Sequence, residues 1–211
     1  LSGKIMSLKN TLTVLIATSN KNKVKELLSI LPSKTKKGQN IIYKTLSDFN
    51  VPEIAETGKT LQENALIKAR VGLEYTGLIT LADDSGLLVD ALPNDLGVKS
   101  ARYAFPDKCD HTANNQKLLT ALKDIPKEKR TAKFQTIAIM LLPSGKIFQE
   151  VGEVLGTIGF DYRGNQGFGY DPLFIVNETN KTMAEMSVEE KNIISHRGRA
   201  FRKIAKYLLE L

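Results

Sequence analysis

The sequence predicts an α/β fold with a mixed central sheet and helices on its faces. Three observations carry that prediction. Thr13–Ala17 is β-branched and apolar throughout, the pattern of a strand covered on both faces. Strand-like and helix-like patterns alternate through the first half of the chain, the order from which parallel sheets are built. Lys133–Leu142 and Lys146–Gly156 flank Pro143-Ser144-Gly145 and read as a hairpin, which adds antiparallel pairing.

The elements follow in order. After Thr13–Ala17 comes a polar turn, Thr18–Lys23, then a helix with Val24, Leu27, Leu28 and Leu31 on one face and Pro32 closing it. Ile41–Leu46 reads as a second strand. A polar, proline-containing loop leads to Thr60, and Leu61–Tyr75 is a helix presenting Leu61, Ala65, Ile67, Lys68 and Ala69. Leu78–Ala82 is a strand that ends in ADDSG, with a bend expected at Ser85-Gly86. Thr112–Leu122 is helical, residues 159–170 form a glycine-rich loop, and Leu173–Val176 is a short buried strand. Ser187 with Glu190 three residues later fits a capping box. Phe201, Ile204, Ala205, Leu208 and Leu211 recur at helical spacing.

No repeat, low-complexity tract or linker interrupts the chain, so residues 11–211 are read as one domain, and the first ten as a terminal extension or a cloning remnant. Among 211 residues there is one cysteine, Cys109, which excludes an intrachain disulfide and a cysteine-based zinc site. No apolar stretch approaches the roughly 18 residues of a membrane span, and residues 1–10 carry no apolar core of a secretion signal. A reducing cytoplasm is the expected compartment. Thirty Lys and Arg against 23 Asp and Glu favour an anionic partner. The basic clusters at Lys34–Lys37 and Lys127–Lys133 lack interleaved aromatic residues on which bases could stack, so no nucleic-acid partner is expected.

Four stretches bear chemistry. In TVLIATSNKNKVKELL a strand, a short turn and a helix bring backbone N–H groups and a helix dipole to one edge, with Lys21 and Lys23 beside them. That suits phosphate; an ordinary βα turn capped by Ser19 or Asn20 is the alternative. Glycine-rich phosphate loops are absent: Gly58-Lys59-Thr60 resembles a Walker ending, but Glu53 stands where its first glycine belongs. In ADDSG, adjacent strand side chains point to opposite faces, so one of Asp83 and Asp84 can face a site while the other caps a turn or pairs with a lysine. With Glu53 and Glu56 nearby in sequence, carboxylates without Cys or His suit a hard cation, Mg²⁺ or Mn²⁺. In GFGYDPLF, Gly167 and Gly169 let backbone approach a flat ligand while Phe168 offers a stacking face; a tight turn with Phe168 plugging the core is the alternative. Asp171, before Pro172, is expected to be extended. In ISHRGRAFRKI, His196-Arg197 forms a donor pair, or merely the basic start of a surface helix.

TSNKNK, ETGKTLQENALIKA, ADDSGL with SARY, GFGYDP and Lys191 ahead of His196-Arg197 occur in that order. Together they closely resemble the HAM1/RdgB-type non-canonical purine NTP pyrophosphatases, the ITPase-like enzymes, from about Val14 onward. The resemblance implies an elongated two-lobed α/β fold with a cleft between lobes, usually dimeric. It implies Mg²⁺-dependent hydrolysis of ITP, dITP and XTP to the monophosphate and pyrophosphate. Carried over, Thr18, Ser19, Asn20, Lys21, Asn22 and Lys23 match the triphosphate-holding segment, and Lys68 reaches the phosphates. Glu56 and Asp84 match the metal-linked carboxylates, with Asp84 also the catalytic base, and Ser85 matches a substrate contact. Phe168, Gly169, Tyr170, Asp171, Lys191, His196 and Arg197 match the base and ribose pocket. Asp83, on the opposite face, is read as structural. Two rivals stand beside this reading: a Maf-type pyrophosphatase acting on modified pyrimidine nucleotides, against which GFGYDP and SHR argue, and a basic nucleic-acid-binding module, against which the dispersed lysines argue.

Overall fold

The structure, a computed structural model, describes residues 11–211; the extension read at residues 1–10 lies outside the described residues. The strands are β1 (Thr11–Ile16), β2 (Asn40–Thr45), β3 (Ile79–Val89), β4 (Thr131–Leu141), β5 (Ile147–Ile158) and β6 (Phe174–Val176). The helices are α1 (Lys21–Leu28), α2 (Leu61–Thr76), α3 (His111–Ala121), α4 (Val188–Ile194) and α5 (His196–Leu209). The sheet order is β2-β1-β3-β4-β5-β6. β1 pairs in parallel with both β2 and β3, whereas β6 pairs antiparallel with β5, so the sheet is mixed as expected. The turn at Pro143-Ser144-Gly145 closes through Leu142, whose N–H donates to the Lys146 carbonyl.

The chain forms two compact units. The first takes residues up to Asp84, Ile137–Val151 and Ala200–Leu211. Its core sets Val14, Ile16, Leu81, Ala138 and Met140 with Phe201, Ile204 and Leu208 of α5. Those α5 residues recur every three or four positions and so form one apolar stripe. Each large side chain so buried contributes about 1.5–3 kcal/mol. The second unit takes Ser85–Thr136 and Gly152–Arg199. Leu87, Val89, Leu118, Leu122, Phe134, Val154, Phe174 and Val176 form its core.

Local signals set the helix starts. The Asn20 side chain accepts from the Asn22 and Lys23 N–H groups at the start of α1, and Thr60 forms a capping box with Glu63 at the start of α2. The box expected at Ser187 and Glu190 opens α4. The Ser195 hydroxyl accepts from the Gly198 N–H, so a new cap separates α4 from α5.

One element departs from expectation. β3 does not end at Ala82 and does not bend at Ser85-Gly86; it runs on to Val89. Leu87 and Val89 alternate into the second core and keep the strand extended. Gly86 serves close approach, not a turn: a Cβ there would overlap the Gly97 carbonyl.

Candidate active site

In the first unit, β3 buries both aspartates, Asp83 at 1% and Asp84 at 7% exposure. The alternation of strand side chains sends them to different lysines. Asp83 Oδ2 accepts from Lys23 Nζ at 2.9 Å. Asp84 Oδ1 accepts from Lys68 Nζ at 3.0 Å, and the same ammonium donates to Glu56 Oε1 at 2.6 Å. Lys68 stands on α2, whose residues at helical spacing place Asn64 one turn earlier on the same face. Asn64 Nδ2 approaches Asp84 Oδ2 at 3.4 Å, and its Oδ1 accepts from the Gly58 N–H at 2.7 Å. One helix face thus holds Asp84 from two directions and anchors the segment that follows Glu56.

Burial pushes the Asp84 carboxyl above its ordinary range, against the opposing pull of Lys68 and Lys23. Burial pulls Lys68 down, but Asp84, Asp83 and Glu56 outweigh it and hold the ammonium above its ordinary value. Lys68 therefore stays charged between its carboxylates. Among the described residues no group of three or more His, Cys, Asp or Glu side chains could hold a metal alone. Glu56 and Asp84 nonetheless make a hard, all-oxygen donor pair. That set fits a cation such as Mg²⁺, which keeps waters and takes phosphate oxygens as further ligands.

The β1–α1 turn lies in the same unit. The Asn20 N–H donates to Thr18 Oγ1 at 3.2 Å, and Asn20 Oδ1 accepts from Asn22 and Lys23 at 3.0 and 3.2 Å. Asn20 is therefore the cap, which settles the choice between it and Ser19. Two of the N–H groups read as phosphate donors are bonded to its side chain.

In the second unit, Asp171 Oδ2 accepts from both the Phe168 N–H, at 2.8 Å, and Lys191 Nζ, at 2.7 Å. Gly167 precedes this contact because a Cβ there would overlap the Asp171 carboxylate. Asn115 of α3 donates to the Gly169 carbonyl at 2.9 Å. The Phe168 ring is half-buried and has Lys191 Nζ at 5.0 Å and the Arg197 guanidinium at 5.8 Å from its centroid. It is an open aromatic face beside cations, not a core plug.

His196 and Arg197 open α5 and are buried, at 5% and 3% exposure, which excludes the surface-helix reading. His196 stacks on Phe134 with ring centroids 4.7 Å apart and planes 11° apart. Arg197 Nη2 donates to Ser85 Oγ at 3.3 Å, and Ser85 Oγ lies 2.7 Å from Thr136 Oγ1.

Tyr170 packs in the core, where its hydroxyl donates to the Ser100 carbonyl at 2.7 Å and anchors the loop. One expectation is corrected within this loop. Asp171 lies in a turn rather than an extended segment, because Leu173 and Phe174 both donate back to the Tyr170 carbonyl. Asn64, Asn115, Phe134 and Thr136 escaped the sequence reading. Asn64 alone had a signal, its four-residue spacing from Lys68.

The model of the Ham1 family matches residues 14–207, nearly the whole chain. The chain belongs to the Ham1 family. This Ham1 chain is 51% identical to a dITP/XTP pyrophosphatase of Elusimicrobium minutum, over 92% of the chain and 98% of that protein. It is 47% identical to one of Geobacter sulfurreducens, over 92% and 96%. A HAM1 protein from Coxiella burnetii superposes with a TM-score of 0.83 at 37% identity, covering 95% of this chain and all of that one. The Ham1 match takes in residues of both units.

Proposed function

We propose that this chain hydrolyses deaminated purine nucleoside triphosphates, ITP, dITP and XTP, to the monophosphate and pyrophosphate, as a homodimer in the cytoplasm. The observation that carries the reading is the Glu56–Lys68–Asp84 array, in which the Lys68–Asp84 pair is buried, a charge arrangement that folding alone does not require. The Ham1 relatives named dITP/XTP pyrophosphatase support the substrate class. That no helix among the described residues is long and apolar enough to cross a membrane accords with the proposed compartment.

The chemistry divides between the two units. Attack of water on the α-phosphorus forms one P–O bond and breaks the bond to the departing pyrophosphate. Asp84, held by Lys68 and Asn64, orients that water and takes its proton. Lys68 and Lys23 oppose the charge that accumulates on the phosphate oxygens. Mg²⁺, or Mn²⁺ in its place, would be held by Glu56 and Asp84 and would supply further charge neutralisation on the phosphates. In the second unit Phe168 stacks on the base, and Lys191 with Asp171 fixes the loop that carries it. Arg197 and His196 donate to a carbonyl at purine C6. Adenine carries an amine there and leaves those buried donors unpaired, which is the strongest form of rejection available to a polar site.

The test is pyrophosphate release from dITP, XTP, ITP, GTP and ATP with Mg²⁺. Fast release from the deaminated nucleotides and slow release from ATP is expected. Equal rates on ATP, or orthophosphate as first product, would refute the reading.

A further inference from the structure

The base-reading dipeptide is held from behind by one strand. Along β4 the buried positions alternate as Ala132, Phe134 and Thr136, so the last two share a face. Phe134 supplies the near-parallel ring against His196 and meets Phe174 with ring centroids 4.6 Å apart. Thr136 is fully buried and shares a hydrogen bond with Ser85 Oγ, the same oxygen that accepts from Arg197. That hydrogen bond holds Ser85 Oγ in place, and Ser85 Oγ is an acceptor for Arg197. We propose that Phe134 and Thr136 are positioning residues for substrate selection, Phe134 setting the plane of His196 and Thr136 setting the guanidinium of Arg197 through Ser85.

The inference rests on the base-reading role given above to His196 and Arg197, and it extends that role to two residues that touch no substrate. A buried threonine on a strand needs a hydrogen bond but not this one; its own strand offers backbone partners. A buried phenylalanine needs only apolar neighbours, and Phe174 already supplies one. The placement of both on one face, each meeting one member of an adjacent pair, is what packing alone leaves unexplained.

The experiment measures kcat/KM for dITP and for ATP, with thermal midpoints, in Thr136→Val, Thr136→Ser and Phe134→Leu. Thr136→Val keeps the shape and removes the hydroxyl; its dITP:ATP ratio should fall by about three- to tenfold, with Thr136→Ser staying within about twofold of wild type. Phe134→Leu keeps apolar volume and removes the ring; the ratio should fall by a similar factor of about three to ten. Thr136→Val should add nothing to the ratio in an Arg197→Ala background, nor Phe134→Leu in a His196→Ala background. A folded Thr136→Val with an unchanged ratio, a Thr136→Ser as impaired as Thr136→Val, or additive effects would overturn the proposal. If Phe134→Leu does not fold, the Thr136 series decides. A wild-type enzyme without preference for dITP over ATP sinks the substrate reading and this inference with it. A wild-type preference that these variants leave intact sinks this inference alone.

Discussion

Lys68 and Asp84 form a buried ion pair, Nζ to Oδ1 at 3.0 Å, with side chains only 7% and 9% exposed. Glu56 shares the same ammonium, so two carboxylates depend on one cation. Lys68→Met should lose about 3 kcal/mol of stability, because the buried Asp84 carboxylate loses its bonded cation. The loss should grow with pH. Burial already raises the Asp84 carboxyl and Lys68 opposes that rise; without the lysine the folded value climbs further. A group whose folded pKa is raised contributes stability below its unfolded value and loses it as pH rises through the folded one. Urea midpoints of wild type and variant should therefore diverge more at pH 8 than at pH 5.

Asp84→Asn should lower dITP turnover by about 10²–10⁴-fold, the range for losing a proton acceptor. Asp83→Asn breaks the contact with Lys23 instead and should act mainly on folding, at about 2–3 kcal/mol with turnover held within roughly tenfold. Turnover and urea melts on the two variants decide the assignment. An active Asp84→Asn beside a dead, well-folded Asp83→Asn reverses it.

Arg197→Ala should damage discrimination as well as rate. A 6-oxo base loses a charge-assisted bond of about 1.5–3 kcal/mol, whereas ATP never made that bond. The dITP:ATP ratio of kcat/KM should then fall by roughly ten- to hundredfold. A guanidinium acting on phosphate would slow both substrates alike and leave the ratio where it was.

Chelation with EDTA should abolish dITP turnover, and Mg²⁺ or Mn²⁺ should restore it. The thermal midpoint of the metal-free protein should stay within about 2 °C of the Mg²⁺-supplemented one, because a weakly held ion adds little by mass action. Lys68 already offsets the carboxylate charge in its absence. A large drop in midpoint would mean that the ion is structural.

Arg130 is fully buried in the second unit, where its Nη1 and Nη2 donate to the Gly159 and Leu122 carbonyls at 3.2 and 3.1 Å. Its guanidinium lies 4.0 Å from the Phe160 ring centroid. Leu122 follows the last turn of α3, so the fork satisfies a helix-end carbonyl that water does not reach. Arg130→Met and Arg130→Lys should each destabilise by about 2–3 kcal/mol, since neither can bond both carbonyls. Denaturation in urea, with dITP turnover measured below the transition, separates this from any effect on activity.

Much of this was legible in the sequence. Periodicity placed α2, the β4–β5 hairpin and the α5 stripe, and an unbroken apolar run placed β1, because burial on one face or on both is written in the residues themselves. Asp84 drew notice as a carboxylate at the end of an apolar run, whereas the site roles of Lys68 and Arg197 entered through the family resemblance. The length of β3 did not show. Asp-Asp-Ser-Gly has the composition of a turn, and only tertiary contacts (lysines for the aspartates, the Gly97 carbonyl against Gly86) make it a strand. The anchor of Tyr170 was not legible for a related reason: its hydroxyl ends on the Ser100 carbonyl, 70 positions earlier. Phe134 and Thr136 sit in an ordinary strand pattern, and their partners at His196 and Ser85 are distant in the chain.

The make-up of the first core bears on how the protein is born. Val14 and Ile16 share their core with Phe201, Ile204 and Leu208, which are made nearly two hundred residues later. Until those residues are made, the first core lacks part of its apolar cover. The second unit, drawn from Ser85–Thr136 and Gly152–Arg199, has all its own residues before α5 is finished. The core of the second unit can therefore consolidate before that of the first is complete, whereas Asp83 and Asp84 of β3 find their partners Lys23, Asn64 and Lys68 in residues made before them.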